Sequence, residues 1–257
     1  GPSRLPVLAG RVVVVSGAGQ GVGAGIAASA AAAGAQVVVT ARKAAAATAV
    51  AQGITERGHR AVAIRCDVTS RTDVDATIAE TVERFGALHG LVHNATSGYS
   101  SRPVPFQDVP EENWDDQVAV GLRAAYYLAQ AGLPHLRAVD GSYVILTSTA
   151  GMEGSTPIPT YSTIKASQRT LVRSLAREWG PLGVRVNALA PVAVTPAMAD
   201  FLTREPEAAS RLAARAALQR LGDAEFDIGP TVNFLLGPDS RFVTGQTLVV
   251  NGGSFMF

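Results

Sequence analysis

The sequence is poor in cysteine, lysine and long apolar runs. A single cysteine, Cys66, in 257 residues excludes an intramolecular disulfide and any cysteine-built metal site. The four histidines, His59, His89, His93 and His135, are not read as a ligand set, and no metal is expected. The apolar stretches are short or broken by glycine, so none reaches the ~20 residues of a membrane helix. No basic segment leading into an apolar one opens the chain as in a signal peptide. Gly1-Pro2 reads as the remnant of a cleaved tag. An excess of one charge sign is also missing, since 22 basic and 21 acidic side chains leave a formal charge of +1. That balance gives no electrostatic case for a nucleic-acid or membrane-surface partner. A reducing, cytoplasmic setting is expected. Only Lys43 and Lys165 are lysines among the 22 basic residues. Coding bias accounts for the arginines but leaves open why lysine stands at those two places.

Hydrophobic residues make up 47% and charged residues 17%, which excludes a disordered chain and permits a sizeable core. Short β-branched runs alternate with longer helical stretches. Strands are expected at Val12–Val15, Val37–Thr40, Ala61–Arg65, Leu88–His93, Tyr143–Thr147, Val184–Leu189 and Thr247–Val250. Their unalternating apolar character is that of strands buried on both faces. Helices are expected between them, at Ala44–Arg57, Thr72–Phe85 capped by Thr69 or Ser70, Glu111–Leu136 with a bend near Gly132-Leu133-Pro134, Pro159–Trp179 and Asp223–Leu236. Strands separated by helices imply βαβ units and a doubly wound α/β parallel sheet of about seven strands, with helices on both faces. No linker divides the chain, so 1–257 reads as a single domain. The strandless stretch 193–219 is expected to form a lid over a pocket beyond the carboxyl ends of the strands.

Between the first strand and the first helix runs Ser16-Gly17-Ala18-Gly19-Gln20-Gly21-Val22-Gly23. Glycines there let the backbone turn tightly and approach a pyrophosphate, and the following helix offers free N–H groups and a favourable dipole. Gly17, Gly19, Gln20, Gly21, Val22 and Gly23 are therefore cofactor-binding candidates. The end of the second strand, Thr40-Ala41-Arg42-Lys43, has no acid to bind a ribose 2′-hydroxyl. Arg42 can pair a 2′-phosphate bidentately, and Lys43 adds a second charge. NADP(H) is expected in preference to NAD(H).

The spacing Gly17-x-x-x-Gly21-x-Gly23 resembles the glycine motif of the classical short-chain dehydrogenase/reductase family, and the resemblance extends over nearly the whole chain. It implies a Rossmann-like fold. It also implies that Asp67 hydrogen-bonds the adenine amino group, with Val68 flanking the ring, and that Asn94-Ala95 lies against the cofactor. His93, beside them, is read as a packed strand-end residue.

Tyr161-Ser162-Thr163-Ile164-Lys165 opens a long helix, where positions i and i+4 share one face. The Lys165 ammonium is expected to stabilise the Tyr161 phenolate and lower its pKa. Such a phenol suits proton transfer to or from a carbonyl or alcohol oxygen. Ser148 precedes Tyr161 by 13 residues and ends the fifth strand, with Gly151 following. The arrangement resembles the family's Ser–Tyr–Lys triad. The resemblance implies that Tyr161 is the general acid/base, that Ser148 orients the reacting oxygen, and that Lys165 binds the nicotinamide ribose and tunes Tyr161.

Two places depart from the family pattern. Gly121 stands where the family often has Asn, and a glycine at this place resembles the enoyl- and dienoyl-thioester reductase branch. Pro191-Val192-Ala193-Val194-Thr195 lacks the family's Gly and is one residue short, with Pro191 and Thr195 still expected at the cofactor. The segment Gly245–Gly253 resembles the family's last strand, and the resemblance implies a homotetramer or homodimer into which the tail Phe255-Met256-Phe257 is buried. The expected function is reduction of a ketone, or oxidation of a secondary alcohol, with a 3-oxoacyl thioester or polyketide-like ketone as candidate substrate. Thr149, Met152, the 97–105 loop, Val192, Met198, Phe201 and Leu202 are expected to form a mostly apolar pocket. The alternatives are C=C reduction in an enoyl thioester and a weakly catalytic NADP(H) sensor or assembly protein.

Overall fold

The structure is a computed structural model that describes residues 6–194, 203–204 and 206–256. Seven strands form one sheet: β1 (Val12–Ser16), β2 (Gln36–Ala41), β3 (Arg60–Arg65), β4 (Gly90–His93), β5 (Ser142–Leu146), β6 (Arg185–Pro191) and β7 (Thr247–Val250). Every pairing is parallel, in the order β3-β2-β1-β4-β5-β6-β7. The helices are α1 (Gly21–Ala32), α2 (Ala44–Glu56), α3 (Arg71–Phe85), α4 (Glu111–Gln117), α5 (Ala124–Arg137), α6 (Ala150–Glu153), α7 (Pro159–Trp179), α8 (Pro206–Ala214) and α9 (Gly229–Leu236).

The alternation of strand side chains divides the valine runs between two cores. Val13, Val15, Val37, Val39, Val92 and Val144 pack with Ile26, Ile54, Val232 and Leu235 on one face. Val14, Val38, Leu91, Tyr143, Ile145 and Val186 pack with Ile78, Leu128, Val172 and Trp179 on the other. Covered on both sides, each strand needs apolar residues at consecutive positions. That is why the runs read as continuous rather than alternating.

The expected strands and helices are found, with shifts of a residue or two at most ends. Ser70 caps α3 by accepting from Asp73 N, and Gly86 ends it in the left-handed region at φ +77°. The expected helix 111–136 differs in where it is irregular. Its break is a π turn at Val118–Arg123, and Pro134 is held inside α5. A second π turn, Ala224–Ile228, opens the expected helix 223–236, capped by Asp223. His89 and His93, four residues apart, lie along extended chain and have different partners, Val12 N for one and Ser16 Oγ for the other. No cluster of metal ligands occurs among the described residues, and among them no helix is long and apolar enough to cross a membrane.

The sheet order reverses at β1, whose neighbours are β2 and β4. In open parallel sheets the loops on either side of such a point leave a crevice at the strands' carboxyl ends, where ligands bind. The glycine turn, Arg42, Asp67, Asn94, Ser148 and Pro191 all follow or close strands at that end.

Candidate active site

The glycine turn is built by close approaches that side chains would block. Gly17 (φ +63°) and Gly21 (φ +59°) lie in the left-handed region, which residues with a Cβ seldom adopt. A Cβ on Gly17 would fall 2.6 Å from Ala95 Cα, and one on Gly19 would fall 2.9 Å from Ala41 Cβ. Gly23 is closed in by Asn94 Nδ2 and the Gly17 carbonyl. Asn94 fastens the turn by donating from Nδ2 to Gly17 O at 3.0 Å. At the start of α1, Gln20 makes no side-chain cap and the first turn holds no acid. The N–H groups there keep their capacity for an anion.

At the end of β2, Ala41 is half-buried while Arg42 and Lys43 are exposed, at the start of α2. Beyond β3, Asp67 Oδ1 accepts from Thr69 N at 3.0 Å and Thr69 Oγ1 at 2.7 Å. Val68 is sunk into the core with Val38, Ile64 and Cys66, so little of its side chain is left to flank a ring. These positions fit a dinucleotide: a cradle that Cβ atoms would fill, helix N–H groups without a side-chain cap, and two exposed cations at the end of β2.

Ser148 follows β5 and leads into α6. Its Oγ accepts from Ala150 N at 3.2 Å, and the hydroxyl acts on the Tyr161 phenol, drawing its pKa down against burial. Gly151 permits this, because a Cβ there would lie 2.6 Å from the backbone at Lys165 and Ala166. The Nζ of Lys165 sits 5.5 Å from the Tyr161 ring centroid and donates to Leu146 O at 2.6 Å. The structure thus brings Ser148, Tyr161 and Lys165 together. It differs over electrostatics. Burial pushes the Tyr161 phenol up rather than down, opposed only by the Ser148 hydrogen bond. Burial also pulls Lys165 down to about 7. The i, i+4 spacing anticipates the pairing, but desolvation penalises both charged forms and leads both shifts.

Around this centre, Thr149, Met152, Pro191 and Val192 are half-buried. The 97–105 loop is tied down at both ends. Ser97 Oγ donates to Asp116 Oδ2 at 2.5 Å, Tyr99 OH donates to Glu112 Oε1 at 2.8 Å, and Val104 N donates to Pro157 O at 3.0 Å. The shortened segment after β6 runs on as extended chain. Val192 N donates to Val250 O, Val194 N to Gly222 O, and Ala193 bridges Gly222. Thr195, Met198, Phe201 and Leu202 lie outside the described residues. Of the 193–219 stretch, the structure shows α8 as its regular element.

His93 is fully buried, as a packed strand-end residue, and both ring nitrogens are in contact with polar partners. Gln168 is also fully buried, and its Nε2 donates to Gly121 O. Sequence reading passed over Gln168. Its one signal is its place on α7, three residues after Lys165. A Cβ at Gly121 would run into Ile164 Cγ2, so Ile164 excludes the family's usual Asn here.

A parallel sheet with a glycine turn at its switch point and a Ser–Tyr–Lys cluster around a buried lysine defines a nicotinamide-dependent oxidoreductase class. Residues 17–254 match the family described as Enoyl-(Acyl carrier protein) reductase. The chain is 35% identical over 198 residues to 4-formylbenzenesulfonate dehydrogenase of Comamonas testosteroni, covering 76% of this chain and 77% of that one. It is 34% identical over 209 residues to the 3-oxoacyl-(acyl-carrier-protein) reductase FabG of Staphylococcus aureus strain Mu50, covering 81% and 82%. A solved structure described as a short-chain alcohol dehydrogenase from Sinorhizobium meliloti 1021 superposes with a TM-score of 0.88 at 32% identity, covering 98% of each chain. The chain belongs to the short-chain dehydrogenase/reductase family and is an oxidoreductase.

Proposed function

We propose that this chain is an NADP(H)-dependent carbonyl reductase or alcohol dehydrogenase acting on a ketone/secondary-alcohol pair. The observation that carries the reading is the convergence of Ser148, Tyr161 and Lys165 beyond the carboxyl end of β5, at the same end of the sheet as the glycine turn. When bound, the cofactor supplies or accepts the hydride. Gly17, Gly19, Gln20, Gly21, Val22 and Gly23 wrap its pyrophosphate. Arg42, with Lys43 beside it, pairs the 2′-phosphate. Asp67 would receive the adenine amino group, Asn94 and Ala95 would line the ribose side, and Pro191 and Thr195 are the residues proposed to hold the carboxamide end. Lys165 holds ribose hydroxyls from its buried position. Tyr161 donates a proton to the carbonyl oxygen, and the Ser148 hydroxyl hydrogen-bonds that same oxygen. A phenol held protonated by burial is suited to the reducing direction, in which it acts as the acid.

The half-buried Thr149, Met152 and Val192 favour an uncharged or partly hydrophobic ketone, for which a 3-oxoacyl thioester or polyketide-like ketone is the proposed class. Met198, Phe201 and Leu202 belong to the proposed lid. We further propose one domain over the whole chain and a cytoplasmic homotetramer or homodimer. The exposed Leu218, Phe242 and Met256 support self-association.

NADPH and NADH oxidation against a panel of ketones and enoyl thioesters tests this reading. Ketone-dependent NADPH consumption that disappears in Tyr161→Phe is expected. Turnover of enoyl thioesters alone would establish the second reading, C=C reduction, which Gly121 and the description of the matching family favour. Tight NADPH binding with no turnover would instead point to a sensor.

A further inference from the structure

Gly121 departs from the family pattern, and its surroundings form a connected polar structure. Its carbonyl oxygen accepts from Gln168 Nε2 at 2.8 Å and contacts His93 Nε2 at 3.1 Å. Two side chains thus converge on one carbonyl oxygen. The two donors come from different elements, His93 from β4 and Gln168 from α7, and both are fully buried. They meet on the π turn between α4 and α5. No side chain at position 121 takes part, because Ile164 fills that space.

The bonds also fix which way the imidazole is protonated. Nε2 must carry the hydrogen it gives to Gly121, which leaves Nδ1 as an acceptor. Opposite Nδ1 at 3.2 Å stands Ser16 Oγ. That oxygen already accepts from Asn94 N at 3.1 Å and Ala95 N at 3.3 Å. Its own proton therefore points to His93. Asn94 in turn donates to Gly17 O. The chain is unbroken from the glycine turn, through Asn94, Ser16, His93 and Gly121, to Gln168. Gln168 lies one helical turn beyond Lys165 on α7.

We propose that His93 and Gln168 are positioning residues. By sharing the Gly121 carbonyl they lock the α7 segment carrying Tyr161 and Lys165 to the glycine turn that receives the dinucleotide. Neither touches substrate. Apolar side chains of the same volume would fill this space without a buried network to satisfy. What hydrogen bonds add is direction: they set the rotation of α7, and so hold Lys165 Nζ at the Leu146 carbonyl and against Tyr161. The inference rests on the Ser–Tyr–Lys reading above.

The test uses Gln168→Met, which keeps length and removes the donor, and His93→Leu, which removes both ring nitrogens. His93→Gln serves as the conservative rescue, because its amide nitrogen reaches about as far as Nε2. Two readouts are taken: steady-state kinetics with NADPH and a reducible ketone, and ultraviolet titration of the Tyr161 phenol by difference against Tyr161→Phe. Gln168→Met and His93→Leu are expected to lower kcat about tenfold while ketone KM stays within about twofold. The Tyr161 titration should move by about half a pH unit or more. His93→Gln should recover most of both, and the double variant should lose little more than the worse single one, since one acceptor is shared. Wild-type kcat and titration in both single variants would overturn the proposal. So would a loss confined to KM, or a His93→Gln no better than His93→Leu. A wild-type protein that turns over no ketone overturns the functional reading instead, and the titration and its rescue then decide the positioning role alone.

Discussion

The Nζ of Lys165 donates to the main-chain oxygen of Leu146 at 2.6 Å while standing 5.5 Å from the ring centroid of Tyr161. One ammonium is thus anchored to the end of β5 and aimed past a phenol one helical turn away. Lys165 is only 4% exposed, so the cavity around it is shaped to a slim side chain. A planar guanidinium needs more room and several acceptors in its plane. Lys165→Arg is expected to cut kcat about 100-fold or more, measured as ketone-dependent NADPH oxidation with folding checked by circular dichroism.

Tyr161→Phe removes the phenolic proton and keeps the ring. Loss of the acid/base group should lower kcat by about 10²–10⁴ with the melting temperature nearly unchanged. Retained ketone reduction would sink the catalytic assignment.

Arg42 is exposed and follows β2 directly. Arg42→Ala should weaken NADPH binding about tenfold or more, the scale of a charge-assisted bidentate pair, and leave NADH binding within about twofold. Fluorescence titration with each nucleotide measures the contrast, and equal losses would remove the 2′-phosphate role.

His93 is buried as a neutral ring, its pKa pulled from 6.5 to about 4, first by burial and then by the nearby Lys165 charge. The unfolded chain takes up this proton more readily than the folded one. The stability tied to the neutral ring is therefore complete above about pH 6.5 and is lost as pH falls toward 4, reaching at most ~3 kcal/mol. His93→Gln should flatten that part of a urea-denaturation profile taken from pH 7 to 4.

Gly121→Asn would drive a Cβ into Ile164 Cγ2. Restoring the family's residue should therefore destabilise the protein by about 1–3 kcal/mol, as overpacking does. Adding Ile164→Val should leave the clash, because Val keeps the Cγ2 methyl, whereas adding Ile164→Ala should relieve it. Urea unfolding of the three variants tests the order.

Much of the sheet was legible because a strand covered on both faces has to be apolar at every position. Val12–Val15 and Val37–Thr40 announce themselves in that way. The triad was legible because its spacing is local: Tyr161 and Lys165 share a helix face, and Ser148 is the exit of the adjoining strand. The π turn at Val118–Arg123 was not, because its one weak helix former, Gly121, is a residue that ordinary helices also tolerate. Gly121 sits there to clear Ile164, a contact between elements far apart in sequence. Gly132-Leu133-Pro134, where a bend is expected, lies within the continuous helix α5.

Local chemistry, then, determined the order of strands and helices, the glycine turn with its need for positive φ, and the pairing of a phenol with an ammonium. Those features depend on neighbours within a few residues, where backbone geometry alone sets which side chains meet. Only the tertiary structure decided how the pair is charged and what holds it. Burial depth comes from the whole assembly of elements, and it raises Tyr161 and lowers Lys165 against the expectation from their spacing. The link from Ser16 through His93 and Gly121 to Gln168 joins residues of β1, β4, the π turn and α7. No sequence interval encodes it, because the sheet brings those groups together only after it has formed.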